Sequence, residues 1–148
     1  MTHSDTPLTS AELKGPLRDC IETMRKSLEL ALHSAISTRD TTGTCLYGSI
    51  LVKTAVEQWF KDFTAVIRGG SPDESPGLGC FDGRLWRGHY WVELQRDGVP
   101  VWVVDITADQ FGFPPVRILP FPDAMQNYNA GDQRHVDEAV EDEMSRIG

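Results

Sequence analysis

The chain has 148 residues, 40% of them hydrophobic and 24% charged, which suits a single folded domain and argues against two domains or a disordered chain. No apolar run reaches the roughly 18 to 20 residues that a membrane-spanning helix needs, and the N-terminus lacks the basic and apolar regions of a signal peptide, so a cytoplasmic setting is expected. The net charge of −8 comes from the second half: residues 1–68 balance eight acidic against eight basic side chains, whereas residues 69–148 hold fourteen acidic and six basic. An acidic field repels phosphate backbones, which disfavours nucleic acid as a partner and favours a protein or peptide, above all one with a basic surface.

Residues 1–8 are polar and read as a frayed tail ahead of Thr9-Ser10-Ala11-Glu12, which fits a capping box that would open a first helix. Pro16 suits the first turn of a helix in which Leu17, Cys20, Ile21, Met24, Leu28, Leu30, Ala31 and Ile36 recur at the helical period, so a helix is predicted over about 16–37. A cluster of turn and cap formers, Arg39 to Thr44, precedes a second helix with the stripe Val52, Ala55, Val56, Trp59, Phe60 and Phe63. Projected backwards, that stripe passes Gly48 and Ser49 and reaches Cys45, at the N-terminal tip of the buried face.

A short strand is expected over 63–67, a flexible loop with five glycines and two prolines over 69–83, two long strands over 85–95 and 99–106, and another over 116–119. Residues 133–147 read as an acidic C-terminal helix with Val136, Val140 and Met144 on one side. Together these predict one α+β domain over 1–148, with N-terminal helices packed on an antiparallel sheet.

Arg96-Asp97-Gly98 between the long strands fits a three-residue hairpin loop with glycine in the left-handed position. Facing residues then pair Gln95 with Val99, Glu93 with Val101, Trp91 with Val103 and His89 with Asp105. A two-residue turn would put His89 and Asp105 on opposite faces, so the pairing depends on that loop.

A carboxylate facing an imidazole accepts a proton from one ring nitrogen and leaves the other to act on a thiol. Cys45 is the candidate thiol, because the positive end of a helix and a neighbouring imidazolium both favour a thiolate. Its backbone N–H, with a side-chain donor such as Gln110 or Thr44, is placed to stabilise an oxyanion. Trp91 and Trp102 alternate faces of the hairpin; Trp91 is the candidate to line the site, and both equally suit packing.

Other residues have plainer readings. Cys20 falls in the apolar pattern of the first helix, Cys80 is an incidental thiol of the glycine loop, and His3, His33 and His135 belong to solvated surface. Asp109 and Glu93 are rival carboxylates. A zinc site from Cys45, Cys80 and His89 lacks the usual ligand spacing, and nucleotide-binding glycine motifs are missing, so no cofactor is expected.

Thr44-Cys45 opening a helix, Gly88-His89-Tyr90-Trp91-Val92-Glu93 on a strand and Val103-Val104-Asp105-Ile106-Thr107 on the next resemble the papain-like, transglutaminase-like superfamily of cysteine hydrolases over about residues 40–110. The chain departs from papain in having no glutamine within the turn before the cysteine, aspartate as the third member, and a much shorter length. The resemblance implies Cys45 as nucleophile, His89 as general base and then acid, and Asp105 as orienter, on a papain-like or transglutaminase-like core. It implies attack on a peptide or isopeptide carbonyl through a thioester, as in bacterial maturation peptidases or effector domains. Glutamine deamidation, transglutamination and acyl transfer use the same three residues, and a silent protein-binding module of the same fold is the remaining alternative.

Overall fold

Helix α1 spans Ser10–Ile36 in the computed structural model, which describes residues 10–36 and 44–147; the expected tail 1–8 and most of the turn cluster lie outside the described residues. The helix begins six residues before the span 16–37, directly after the capping-box candidate Thr9, which lies outside the described residues, and carries Pro16 inside it. First-turn placement of proline is only a preference, and proline forfeits a single backbone donor, which a long packed helix tolerates. The buried stripe is Leu17, Ile21, Arg25, Leu28 and Leu32, while Leu30, expected in the stripe, is exposed.

Helix α2, Cys45–Trp59, starts at the predicted cysteine and buries Gly48, Ser49, Ile50, Val52, Ala55 and Val56. Trp59 departs from the expected stripe: it is 69% exposed, because the helix ends there and the chain turns away through Phe60 to bury Phe63 instead.

Seven strands follow: β1 Thr64–Gly70, β2 Gly79–Phe81, β3 Trp86–Arg87, β4 His89–Arg96, β5 Val99–Asp105, β6 Arg117–Pro120 and β7 Tyr128–Asn129. One antiparallel sheet has the order β1-β4-β5-β6 and a smaller one the order β3-β2-β7. A 3-10 helix (Ala108–Phe111) and a one-turn helix α3 (Phe121–Ala124) flank β6, and the acidic helix α4 covers Gln133–Ile147. Val136 of α4 is buried and Val140 packs against the core, whereas Met144 is half exposed.

The larger sheet has two faces. Ala65, Ile67, Val92, Leu94, Trp102, Val104 and Ile118 pack with the long helices, while Trp91 and Val103 point the other way and pack with Cys80, Ala124 and Tyr128. Trp91 and Trp102 therefore alternate as predicted. The glycine-rich stretch 69–83 is not simply a loop: its first residues complete β1 and Gly79–Phe81 forms β2, with Cys80 fully buried. Glycine is required because backbones cross closely there. A Cβ on Gly79, whose φ is +107°, collides with the Arg87 carbonyl, and one on Gly70 lies 2.9 Å from the Asn129 carbonyl.

The hairpin corrects the predicted register. Arg96 pairs with Val99, so the turn has two residues, Asp97 and Gly98, both at positive φ as a type I′ turn requires. Gln95 then pairs with Pro100, but Leu94 pairs with Trp102, Glu93 with Val103 and Val92 with Val104, leaving Val101 as the extra residue of a bulge. Pro100 has no N–H to give the ladder, which suits a bulge beside it. The predicted partners Gln95–Val99, Glu93–Val101 and Trp91–Val103 are all displaced. The bulge restores the side-chain parity that the two-residue turn removes, so His89 and Asp105 share a face diagonally rather than directly opposite.

Gly48 seats α2 on this sheet. A Cβ there would lie 3.0 Å from Thr107 Cγ2, 3.4 Å from Ile106 Cγ1 and 3.5 Å from Leu28 Cδ2. Gly48→Val is expected to destabilise the fold by about 1–3 kcal/mol through overpacking. Urea unfolding measures this, and a variant as stable as the parent would contradict the tight seat.

Candidate functional site

Three element ends meet at one end of the larger sheet's central strands: the start of β4 at His89, the end of β5 at Asp105, and, through Gly48 against Ile106 and Thr107, the N-terminal turn of α2 with Cys45. The antiparallel hairpin brings the first two together, since the beginning of one strand adjoins the end of the next. His89 Nε2 lies 2.7 Å from Asp105 Oδ2, and both side chains are enclosed.

Asp105 is held on both oxygens. Oδ1 accepts the backbone N–H of Thr107 at 3.0 Å, and Oδ2 also accepts the Tyr128 hydroxyl at 2.6 Å. Burial works to raise its pKa, but the charge of His89 and the hydrogen bonds from His89, Tyr128 and Thr107 hold it below the ordinary carboxylate value. The carboxylate is therefore ionised and can only accept, which assigns the proton to His89 Nε2 and leaves Nδ1 without one in the neutral ring.

Burial opposes charge on His89, yet the charge and hydrogen bond of Asp105, with a smaller contribution from Cys45, raise its pKa to about 10. Nδ1 is buried and has no partner besides the Cys45 side chain. The Cys45 charge also raises the pKa of Tyr90, after burial, which sets the thiol beside both β4 residues.

Aromatic rings box the imidazole. Trp91 stacks on it at 6.3 Å, Phe111 meets it edge-on at 5.0 Å, and Tyr128 packs on Trp91 at 5.0 Å. Trp91, expected to line the site, is 1% exposed and forms a wall behind His89 rather than an open surface. Gln110 lies on the 3-10 helix with its amide donating to the Thr107 carbonyl at 2.9 Å. Thr44 is the N-cap residue of α2, and its carbonyl accepts the Gly48 N–H at 2.9 Å.

The rival carboxylates belong elsewhere. Asp109 takes both Arg25 Nη atoms at 2.9 Å, which explains a buried arginine in the α1 stripe, and Glu93 pairs with Arg68 at 3.0 Å and Gln95 at 2.7 Å. Cys80 is enclosed, and burial together with the Asp105 charge pushes its pKa up to about 12, so it stays a neutral thiol. His135 is exposed on α4, between Glu74 and Asp132.

Three contributors were not foreseen: Thr107, Tyr128 and Arg117, whose Nη1 donates to the Tyr128 hydroxyl at 3.1 Å. Thr107 had a signal, because aspartate side chains commonly accept the N–H two residues on. Arg117 falls in the predicted strand 116–119, where nothing in the sequence ties it to the site, and Tyr128 lies in a segment without periodicity. Beside His89 and Tyr90 opens a cavity of about 410 Å³, edged by Ser71, Asp73, Glu74 and Asp132. Among the described residues no cluster of three His, Cys, Asp or Glu side chains forms a metal site, and no helix is long and apolar enough to cross a membrane. Comparison with protein-family models, curated proteins and solved structures gives no match.

Proposed function

We propose that the protein is a cysteine-dependent hydrolase of papain-like or transglutaminase-like type, cleaving an amide bond of a protein or peptide through a thioester. The observation that carries this reading is the buried Asp105–His89 pair, whose second ring nitrogen, Nδ1, has the Cys45 side chain as its neighbour. A pair serving packing alone has no need of a thiol beside its second ring nitrogen.

In the proposed reaction the Cys45 proton resides on His89 Nδ1, and the thiolate attacks the carbonyl carbon. The resulting oxyanion is met by backbone N–H groups at the start of α2, which have no intrahelical partners. Collapse breaks the C–N bond, and Nδ1–H gives its proton to the leaving amine. Water then attacks the thioester, His89 takes its proton, and the acid departs as the thiolate is restored. Asp105 stays ionised throughout and steadies the imidazolium.

Asp73, Glu74 and Asp132 at the rim of the adjoining cavity support a substrate with a basic side chain near the cleaved bond. An amine in place of water would give transamidation from the same thioester. The first choice is hydrolysis, because water is always present.

The test is alkylation of Cys45 in a Cys20→Ser background, where Cys80 is silent. Reaction with iodoacetamide at pH 6 is expected to be rapid and to drop by about tenfold or more in His89→Ala, which removes the ion pair. Equal rates with and without His89 would refute the reading and favour a protein-binding module of this fold.

A further inference from the structure

We propose that Tyr128, backed by Arg117, is a positioning residue for the Asp105–His89 pair, so that the working unit is a chain of four side chains ahead of the thiol. This deepens the hydrolase reading and rests on it. Oδ2 of Asp105 receives two donors, His89 Nε2 at 2.7 Å and the Tyr128 hydroxyl at 2.6 Å, while Thr107 holds Oδ1. Donors on both oxygens stop the carboxylate from rotating, and the second donor on Oδ2 fixes the direction from which the imidazole is gripped.

The placement of Arg117 explains why tyrosine occupies this position. Arg117 is the β6 residue paired with Asp105 in the strand ladder, yet its guanidinium lies 3.9 Å over the Phe113 ring and its Nη1 donates to the Tyr128 oxygen. A guanidinium bound directly to Asp105 would discharge the carboxylate and compete with His89 for it. The neutral hydroxyl fills the second site on Oδ2 and leaves the negative charge facing the imidazole. Because the hydroxyl accepts from Arg117, its own proton is directed at Asp105. Burial and the Asp105 charge keep Tyr128 protonated, so it remains a donor.

Tyr128→Phe retains the ring that packs on Trp91 and removes only the hydroxyl. In the Cys20→Ser background, Cys45 alkylation at pH 6–7 is expected to fall about tenfold to a hundredfold, the effect of losing one hydrogen bond to a charged group. Arg117 is then free to pair with Asp105, so the imidazolium is held less firmly and the alkaline limb of the pH–rate profile moves to lower pH. A residue that only packs would change the unfolding midpoint without moving that limb.

A wild-type rate and profile in Tyr128→Phe overturns the inference. His89→Ala is run alongside: if it slows alkylation while Tyr128→Phe does not, the positioning role fails and the hydrolase reading stands. If neither variant matters, both fail. Should Tyr128→Phe not fold, proton NMR of the wild-type protein decides the point. A slowly exchanging Tyr128 hydroxyl proton with a cross-peak to the His89 Nε2 proton is expected, and a hydroxyl exchanging freely with water overturns the proposal.

Discussion

Asp105→Asn is expected to slow acylation of Cys45 by about two to four orders of magnitude, the upper figure being the loss when an orienting aspartate is made neutral in a nucleophile–histidine–aspartate site. Both carboxylate oxygens accept hydrogen bonds: Thr107 at one, His89 and Tyr128 at the other. A carboxamide has one oxygen, so it cannot answer both sides. With its oxygen toward His89 and Tyr128, the amide N–H₂ opposes the Thr107 N–H, and the imidazolium loses its counter-charge. With the amide toward His89, Nε2 must become the acceptor, which moves the ring proton to Nδ1, the nitrogen needed as base. Either orientation disables the pair. Nitrophenolate release from an activated acetyl ester follows acylation directly, and an Asp105→Asn rate within tenfold of the parent would contradict the assigned role. Because the three residues act as one unit, Asp105→Asn/His89→Ala is expected to be scarcely slower than His89→Ala alone.

The histidine–aspartate pair was legible before the fold because an imidazole within an apolar strand needs a polar partner, and the next strand offers Asp105 on the matching parity. The route to it was not. The predicted three-residue loop is a two-residue turn, and a bulge at Val101 supplies the compensating residue. Two shifts of one residue cancel in parity and leave a diagonal contact, which side-chain periodicity alone cannot distinguish from a direct one. Cys45 was legible because a turn cluster and a well-formed stripe converge on it as the first residue of α2.

What was hidden depends on contacts distant in sequence. Arg25 occupies an apolar stripe position because Asp109, on a separate element, neutralises it. Glycines at 70 and 79 read as loop, since the same residue marks flexible chain and close backbone crossings, and only the neighbouring strand distinguishes them. Trp59 shares the helical period of the core stripe, but the helix ends before that period can carry it under the sheet. Tyr128 comes from β7, in the smaller sheet, and reaches Asp105 only because the two sheets share a core around Trp91 and Cys80.

Stability is expected to fall with rising pH across pH 6.5 to 8.5 in Cys45→Ala and to do so far less in Cys45→Ala/His89→Gln; with the thiol present, the proton that His89 keeps is offset by the one Cys45 gives up in the proposed thiolate–imidazolium pair, so the parent chain shows little slope. The His89 pKa is about 10 in the folded chain against an ordinary 6.5, so the folded state binds a proton that the unfolded state has released. A raised pKa contributes stability that is fully present below about 6.5 and is lost as pH rises toward 10. Asp105 has the opposite sign: its lowered pKa contributes above the ordinary 3.8 and is lost as pH falls. Both describe one ion pair, counted once, so its contribution is largest between those limits. One retained proton gives a slope of at most about 1.4 kcal/mol per pH unit. Cys80 and Tyr128 also have raised pKa values, but as acids they lose stability only near and above their ordinary 9.0 and 10.0, which reserves the lower interval for the histidine. Urea unfolding of both variants at pH 6, 7 and 8 separates the outcomes. In this thiol-free background, converging stabilities as pH rises support a protonated His89 held by Asp105, whereas parallel profiles mean that the folded ring is neutral at pH 7 and that Asp105 does not hold an imidazolium.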